Sequence, residues 1–152
     1  MRRVYTTLVL LVLLASISAQ VAEARRTLPT LGSRSYPSPG FGSRFPGFGT
    51  VAPRLISANG DANSTVYSVR WSGWGGREAK GSGSSYEFAP HGGYLPGRFP
   101  VQLRASYLGR CRAGGPLVYR HLWRRDRVNN GAAWSPWTLW PDVSYPGPQL
   151  LC

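Results

Sequence analysis

The segment Trp71–Gly83, which reads WSGWGGREAKGSG, restricts the fold more than any other part of the chain. It follows Thr65–Trp71, where successive side chains alternate between two faces in the pattern of a half-buried antiparallel strand. Glycines then interrupt this alternation, and the chain returns through Glu78–Ser85, whose inward positions hold only Ala, Gly and Ser. The segment therefore predicts a β-hairpin with very little side-chain bulk on one face of its second strand.

The glycines of this hairpin need a packing partner, because glycine weakens a strand unless another group approaches its backbone closely. Trp71 and Trp74 are the large side chains next to them in the sequence. We expect both rings to lie over the backbone of Gly81 and Gly83. These four residues are therefore predicted to be structural.

The rest of the sequence continues the β pattern. Val101–Tyr107 alternates most regularly, Leu117–Arg124 carries apolar residues on both faces, and short strands are expected in Arg54–Ser57 and Trp134–Trp140. No segment has a convincing amphipathic helical period. Residues 54–152 are therefore predicted to form an all-β domain, a small antiparallel β-sandwich or open barrel of about five or six short strands.

Residues 1–24 have the pattern of a secretory signal peptide. A pair of arginines precedes a short apolar run, and Ala22–Ala24 is a small-x-small cleavage site, with cleavage after Ala19 as an earlier alternative. The apolar run is shorter than the roughly 20 residues that a membrane-spanning helix needs. We expect a secreted, extracellular protein with no transmembrane segment left after cleavage.

Residues 25–53 are rich in Pro, Gly, Ser and Arg and contain the imperfect repeat FGSRF and FPGFG. No strand or helix period extends through them. This composition is typical of a flexible tether, so a disordered N-terminal linker is predicted here.

Cys111 and Cys152 are the only two cysteines. In an exported chain a disulfide between them is the expected state, and it would stabilise the fold by roughly 4 kcal/mol through loop-closure entropy. Because Cys152 is the last residue, a free or intermolecular thiol is the alternative unless the preceding residues dock on the sheet.

The pattern W-x-x-W-G-G-x-x-A-x-G-x-G at Trp71–Gly83 is followed by the strand Pro100–Leu103 and by the sequence C-x-x-G at Cys111. Together these features resemble a group of uncharacterised secreted proteins of actinobacterial type, over about Val69–Leu122. The resemblance implies a signal peptide followed by a small β domain. It implies no particular activity.

Few residues are suited to catalysis. His91 and His121 are the only side chains that would serve as a base near neutral pH, and neither accompanies a G-x-S-x-G elbow or a reactive cysteine. Nor do the histidines, carboxylates and cysteines have the spacing of a metal site. The sequence therefore predicts a non-enzymatic protein without cofactor or metal. The alternative is a secreted hydrolase that uses His91 in its Gly-rich loop.

Binding is the better prediction, because the chain has 18 basic and 6 acidic residues and a net charge of +12. The late sequence WSPWTLW is similar to the W-x-x-W-x-x-W run of thrombospondin type 1 repeats, but that fold depends on three disulfides. We therefore infer only that these rings stack with Arg120, Arg124 or Arg127, and core packing of the rings is favoured over sugar binding. Such a surface suits an anionic cell-envelope polymer or glycan, including cell-wall material, more than nucleic acid. A general role of the charge in solubility is the competing interpretation. The candidate binding residues are Arg120, Arg124, Arg125, Arg127, Trp134, Trp137 and Trp140.

Overall fold

The computed structural model describes residues 27–33, 45–128, 132–141 and 151–152, and these ranges contain strands and turns but no helix. The predicted signal peptide lies outside the described residues, as do residues 34–44 of the predicted linker. The strands are β1 (Thr30–Leu31), β2 (Ile56–Ser57), β3 (Thr65–Ser72), β4 (Ala79–Ser85), β5 (Phe99–Arg110), β6 (Leu117–Asp126) and β7 (Thr138–Leu139). No helix of the described part is long and apolar enough to cross a membrane.

All seven strands belong to one curled sheet, an open half-barrel, with the order β1-β6-β5-β4-β3-β2 and with β7 also paired to β6. Strands β2 to β6 pair antiparallel with their sheet neighbours, whereas β1 runs parallel to β6. The predicted all-β class and open architecture are therefore confirmed. The parallel strand β1 was not predicted, because it lies in the segment interpreted as a linker.

The sheet has a core face and an outer face, and buried and more exposed residues alternate between these faces along β4 and β5. Val101, Leu103 and Ala105 are buried on the core face, and their partners Ala79 on β4 and Leu122 on β6 are buried with them. Directly paired residues point to the same side of a sheet. The residues between them in each strand therefore form the outer face.

The glycine prediction is right for one contact and wrong for the other. A Cβ atom on Gly81 would lie 3.0 Å from the Trp71 ring, so this tryptophan does cover the glycine. A Cβ atom on Gly83 would instead meet the Tyr67 carbonyl oxygen at 2.7 Å. Trp74 packs on Trp71 and on Tyr119 with ring centroids 4.7 and 5.0 Å apart, rather than over Gly83.

Two irregularities break the strand alternation expected from the sequence. The register of β3 shifts between Tyr67 and Arg70, where Ser68 has a φ of 54°, and as a result Val66 and Val69 are both buried. In β5, Tyr107 has a φ of 59° and is 57% exposed, although the alternation predicted it on the side of Leu103. The register shift in β3 and the positive φ of Tyr107 in β5 each re-aim nearby side chains, and period-two patterning anticipates neither of them.

Part of the predicted linker belongs to the core. Leu31 and Phe48 are buried, and the Leu31 N–H donates to the Thr50 carbonyl. The indole N–H groups of the hairpin also reach this segment, since Trp74 donates to the Pro29 carbonyl and Trp71 to that of Pro53, both at 2.8 Å. Residues 27–33 and 45–53 therefore contribute side chains and backbone hydrogen bonds to the folded domain, which corrects the linker prediction for these two stretches.

The C-terminal residues dock as the disulfide prediction requires. Leu151 is buried, its N–H donates to the Arg120 carbonyl of β6, and its carbonyl accepts from Ser33. Cys111 and Cys152 lie at disulfide-bonding distance, with their Cα atoms 5.4 Å apart. Docking of Leu151 thus holds the terminal cysteine beside the turn that follows β5.

Candidate binding surface on the outer face of the sheet

The outer face of the central strands carries polar and cationic side chains in two cross-strand rows. The pairing of β3, β4, β5 and β6 defines these rows by register, independently of side-chain type. The first row contains Arg70, Ser82, Gln102 and Arg125, and the second contains Ser72, Lys80, Arg104 and Trp123. This side of the sheet is therefore basic, whereas its core face is apolar.

Three tryptophan rings and two guanidinium groups alternate over these rows. The Arg104 guanidinium lies 5.2 Å from the ring centroids of both Trp123 and Trp137. The Arg125 guanidinium lies 4.7 Å from the ring of Trp137 and 5.2 Å from that of Trp134. We call this set the tryptophan–arginine stack. Each contact is within the distance at which a cation is attracted to an aromatic face.

The chain that supplies the late tryptophans is anchored to the end of β6. Ser135 N–H donates to the Asp126 carbonyl, and the Ser135 hydroxyl accepts from the Asp126 N–H at 2.9 Å. Strand β7 then pairs Leu139 with Trp123. The segment is therefore fixed along the sheet, and the rings of Trp134 and Trp137 are held against the outer face.

Both stacked arginines have a polar neighbour at one edge. Arg125 Nε donates to Gln102 Oε1 at 2.8 Å, and Arg104 Nε lies 3.7 Å from a carboxylate oxygen of Glu78. Arg104 Nε is buried and has no hydrogen-bond partner among the described residues. Because a guanidinium group stacks through its face and donates from its edge, stacking on tryptophan leaves donors directed at a ligand in the plane of the group.

These side chains border a groove of about 590 Å³, which we call the outer groove. Its lining includes four cationic residues, Arg70, Lys80, Arg104 and Arg125, and one carboxylate, Glu78. Ser72, Ser82 and Gln102 add neutral polar groups. The excess of cations creates a positive potential in a concave site, which attracts anionic ligands.

The structure brings together three of the predicted binding residues, Arg125, Trp134 and Trp137, and places others elsewhere. Arg124 is on the core side, only 7% exposed, with its Nε bonded to Asp126 at 2.8 Å and its guanidinium 5.2 Å from the Trp140 ring. Trp140 itself packs against the hydrophobic core. Arg124 and Trp140 therefore have structural contacts and do not line the outer groove.

The remaining two predicted arginines flank the surface. Arg127 Nε donates to the Ala132 carbonyl at 2.7 Å, so it fixes the turn after β6. Arg120 lies over the Tyr107 ring at 5.0 Å, beyond the end of the tryptophan–arginine stack. Sequence reasoning missed Arg104 and Trp123 as site residues. The pairing register of β5 and β6 identifies them, because it places Arg104 directly opposite Trp123.

Neither histidine lines the outer groove, and the two lie in different surroundings. His91 is exposed in the turn between β4 and β5. His121 stacks on Tyr107, and burial, together with the charge of Arg120, lowers the pKa of its imidazole. Within the described ranges no group of three His, Cys, Asp or Glu side chains is arranged to hold a metal ion.

Comparisons with known proteins add no further assignment to this geometry. No protein-family model, curated protein or solved structure matches the chain. The resemblance to secreted actinobacterial β-domain proteins therefore stays a prediction based on the pattern around Trp71–Gly83.

Proposed function

We propose that the protein is a secreted, non-enzymatic binding protein for acidic polysaccharide of the cell envelope, and that the outer groove is its binding site. The observation that supports this most is the groove itself, with four cationic side chains against one carboxylate. The disulfide-distance pair of Cys111 and Cys152 fits an extracellular location, where such a polymer is found.

The stack explains how this surface would bind with useful affinity. A flexible arginine loses rotamer entropy when a ligand orders it, and that loss opposes binding. Arg104 and Arg125 are already held against tryptophan rings at 4.7 to 5.2 Å. Much of the ordering cost is therefore met during folding. The guanidinium edges remain to form charge-assisted hydrogen bonds with carboxylate or sulfate groups.

The same contacts favour an acidic glycan over single-stranded nucleic acid. Proteins that bind single strands stack successive bases on open aromatic faces. Here Trp123, Trp134 and Trp137 each have a guanidinium group over the ring, and Trp137 has two. At least one face of each ring is thus used within the protein, and both contacts of Trp137 are with arginine, so cations and neutral hydrogen-bonding side chains are the main groups available for recognition.

The test is the binding of an acidic polysaccharide to the full mature protein at a series of salt concentrations, with the change in tryptophan fluorescence as the measure of binding. We expect salt-sensitive binding, which Arg125→Ala weakens by about tenfold or more, the effect of losing roughly 1.5 kcal/mol from one charge-assisted hydrogen bond. Arg54→Ala is the matched control, because Arg54 is exposed and lies outside the groove. A neutral polysaccharide should not bind.

Three results would contradict the proposal. One is the absence of binding at low salt, and another is an equal loss of affinity in Arg125→Ala and Arg54→Ala. The third concerns the hydrolase alternative. Release of new reducing ends from the polysaccharide, abolished by His91→Ala, would replace the binding function with an enzymatic one.

A further inference from the structure

The row of stacked groups continues past the tryptophan–arginine stack along β6. The His121 ring meets the edge of Trp123 with centroids 6.4 Å apart, and on its other side it stacks on Tyr107 at 4.7 Å with an interplanar angle of 19°. The Arg120 guanidinium then lies 5.0 Å from the Tyr107 ring. The outer face therefore ends in a second aromatic–cation pair, which we call the Tyr107–Arg120 end.

A second cavity accompanies this end of the row. It has a volume of about 560 Å³, and Arg77, Glu78, Ser106, Tyr107 and Leu108 line it. Glu78 also lines the outer groove, so the two cavities adjoin at this residue. Its carboxylate lies 3.7 Å from Arg104 Nε, which places the junction beside the stack.

Tyr107 is positioned here by the backbone rather than by strand alternation. Its φ of 59° turns the side chain out of the core, where the alternation of β5 would place it, and leaves it 57% exposed. A positive φ is unfavourable for a bulky residue other than glycine, and such residues are enriched at functional sites. This backbone conformation adds an aromatic surface to the outer face, next to the exposed Arg77.

We infer that the two adjoining cavities form one extended site for a linear polyanionic glycan that lies along β6. In this site the Tyr107–Arg120 end and Arg77 contact the part of the glycan that the outer groove does not reach. This inference rests on the proposed function. Cations are present at both ends of the site, Arg125 and Arg104 at one and Arg120 and Arg77 at the other. The β6 positions from Arg120 to Arg125 span about 17 Å at the usual rise of a strand.

A site of this shape has a measurable consequence for ligand length. A short oligomer fills the outer groove alone, whereas a longer one reaches the Tyr107–Arg120 end and gains additional charge-assisted contacts. We expect affinity to rise by about tenfold between these two lengths, as for one further charged hydrogen bond, and then to level off. An isolated anionic group as the natural ligand would give no such rise.

The experiment is a length series of oligouronates titrated into the full mature protein and into four variants. Arg77→Ala and Tyr107→Ala should abolish the gain with length and leave the affinity for the short oligomer unchanged. Arg125→Ala should weaken both lengths, and Arg54→Ala neither. Thermal unfolding establishes that each variant folds, and Arg77→Ala, at an exposed position, serves alone if Tyr107→Ala does not.

The outcomes separate this inference from the proposed function. If the short oligomer binds but affinity does not rise with length, or the rise persists in Arg77→Ala and Tyr107→Ala, the extended site is wrong and the binding function stands. If neither length binds, the proposed function is wrong and the extended site falls with it. If single-stranded DNA of equal charge binds more tightly with the same variant pattern, the glycan assignment is overturned.

Discussion

Trp137 contacts both arginines of the outer groove, and its truncation is the most direct test of the stack. Its ring centroid lies 4.7 Å from the Arg125 guanidinium and 5.2 Å from that of Arg104. At about 0.5–1 kcal/mol for each exposed or half-exposed cation–π contact, Trp137→Ala should lower the free energy of unfolding by about 1–2 kcal/mol. This is less than the roughly 3–5 kcal/mol for truncation of a core tryptophan, because Trp137 packs on the outer face.

The measurement is a pair of double-mutant cycles in urea, one with Arg125→Ala and one with Arg104→Ala. Each should give a coupling free energy of about 0.5–1 kcal/mol with Trp137→Ala. Trp134→Ala is the matched control, since the Trp134 ring lies near Arg125 and has no cation–π contact with Arg104. It should therefore couple to Arg125→Ala and be additive with Arg104→Ala.

The same variant connects stability to binding. Without the Trp137 ring, Arg104 keeps its contact with Trp123, and Arg125 keeps its contacts with Trp134 and Gln102. Each guanidinium group therefore regains part of its rotamer freedom, which the ligand would have to remove at a cost of up to about 0.5–1.5 kcal/mol. Affinity for acidic polysaccharide should then fall by roughly tenfold, although no charge has been removed. Coupling free energies below about 0.3 kcal/mol in both cycles, together with unchanged affinity, would refute the idea that the stack positions these arginines.

Three further predictions follow from individual contacts. Gly83→Ala should destabilise the fold by about 1–3 kcal/mol in urea unfolding, and more than Gly81→Ala, because the new Cβ would lie 2.7 Å from a backbone carbonyl; equal effects would contradict this. Burial and the charge of Arg120 lower the pKa of His121 in the folded protein. Below about pH 6.5 the unfolded chain therefore binds a proton at this residue more readily than the folded protein does, and the melting temperature should fall as the pH decreases. His121→Gln should weaken this dependence of the melting temperature on pH. The prediction is wrong if the melting temperature of the unsubstituted protein rises as the pH decreases. Glu78→Gln should increase affinity for acidic polysaccharide, since it removes the one carboxylate of the outer groove and releases Arg104; weaker binding would show that Glu78 assists the ligand.

The hairpin and the two long strands could be predicted from the sequence because their patterns depend on local alternation. Val101, Leu103 and Ala105 are buried as period-two patterning requires, and β4 has the small inward side chains that its sequence indicates. Strand β1 could not be found in this way. Two residues paired in parallel with β6 carry no periodic signal, and Leu31 becomes a core residue only through contacts distant in sequence.

Backbone irregularities limit how well the alternation of residues predicts which face of the sheet a side chain occupies. After the register shift in β3, the side of each later residue is exchanged, so a prediction that is correct at one end of the strand is wrong at the other. In β5 the register with β6 is unbroken, but the positive φ of Tyr107 turns its side chain to the outer face. The sequence does not indicate this conformation, because the residue at this position is not a glycine, and so the role proposed for Tyr107 could not be predicted.

The consecutive residues Arg124 and Arg125 show why the candidate site was only partly predictable. Both are equally good binding candidates in the sequence, but they occupy successive positions of one strand, and so their side chains point to opposite faces of the sheet. Arg124 falls on the core face, where it donates to Asp126 and contacts the Trp140 ring, and its loss would leave the part-buried Asp126 carboxylate without this partner. Arg125 falls on the outer face, where it lies opposite Gln102 and donates to its side chain. Arg124→Ala should therefore affect stability first and Arg125→Ala affinity first. At these two positions the parity of the strand, not the arginine-rich composition, separates the structural residue from the candidate binding residue.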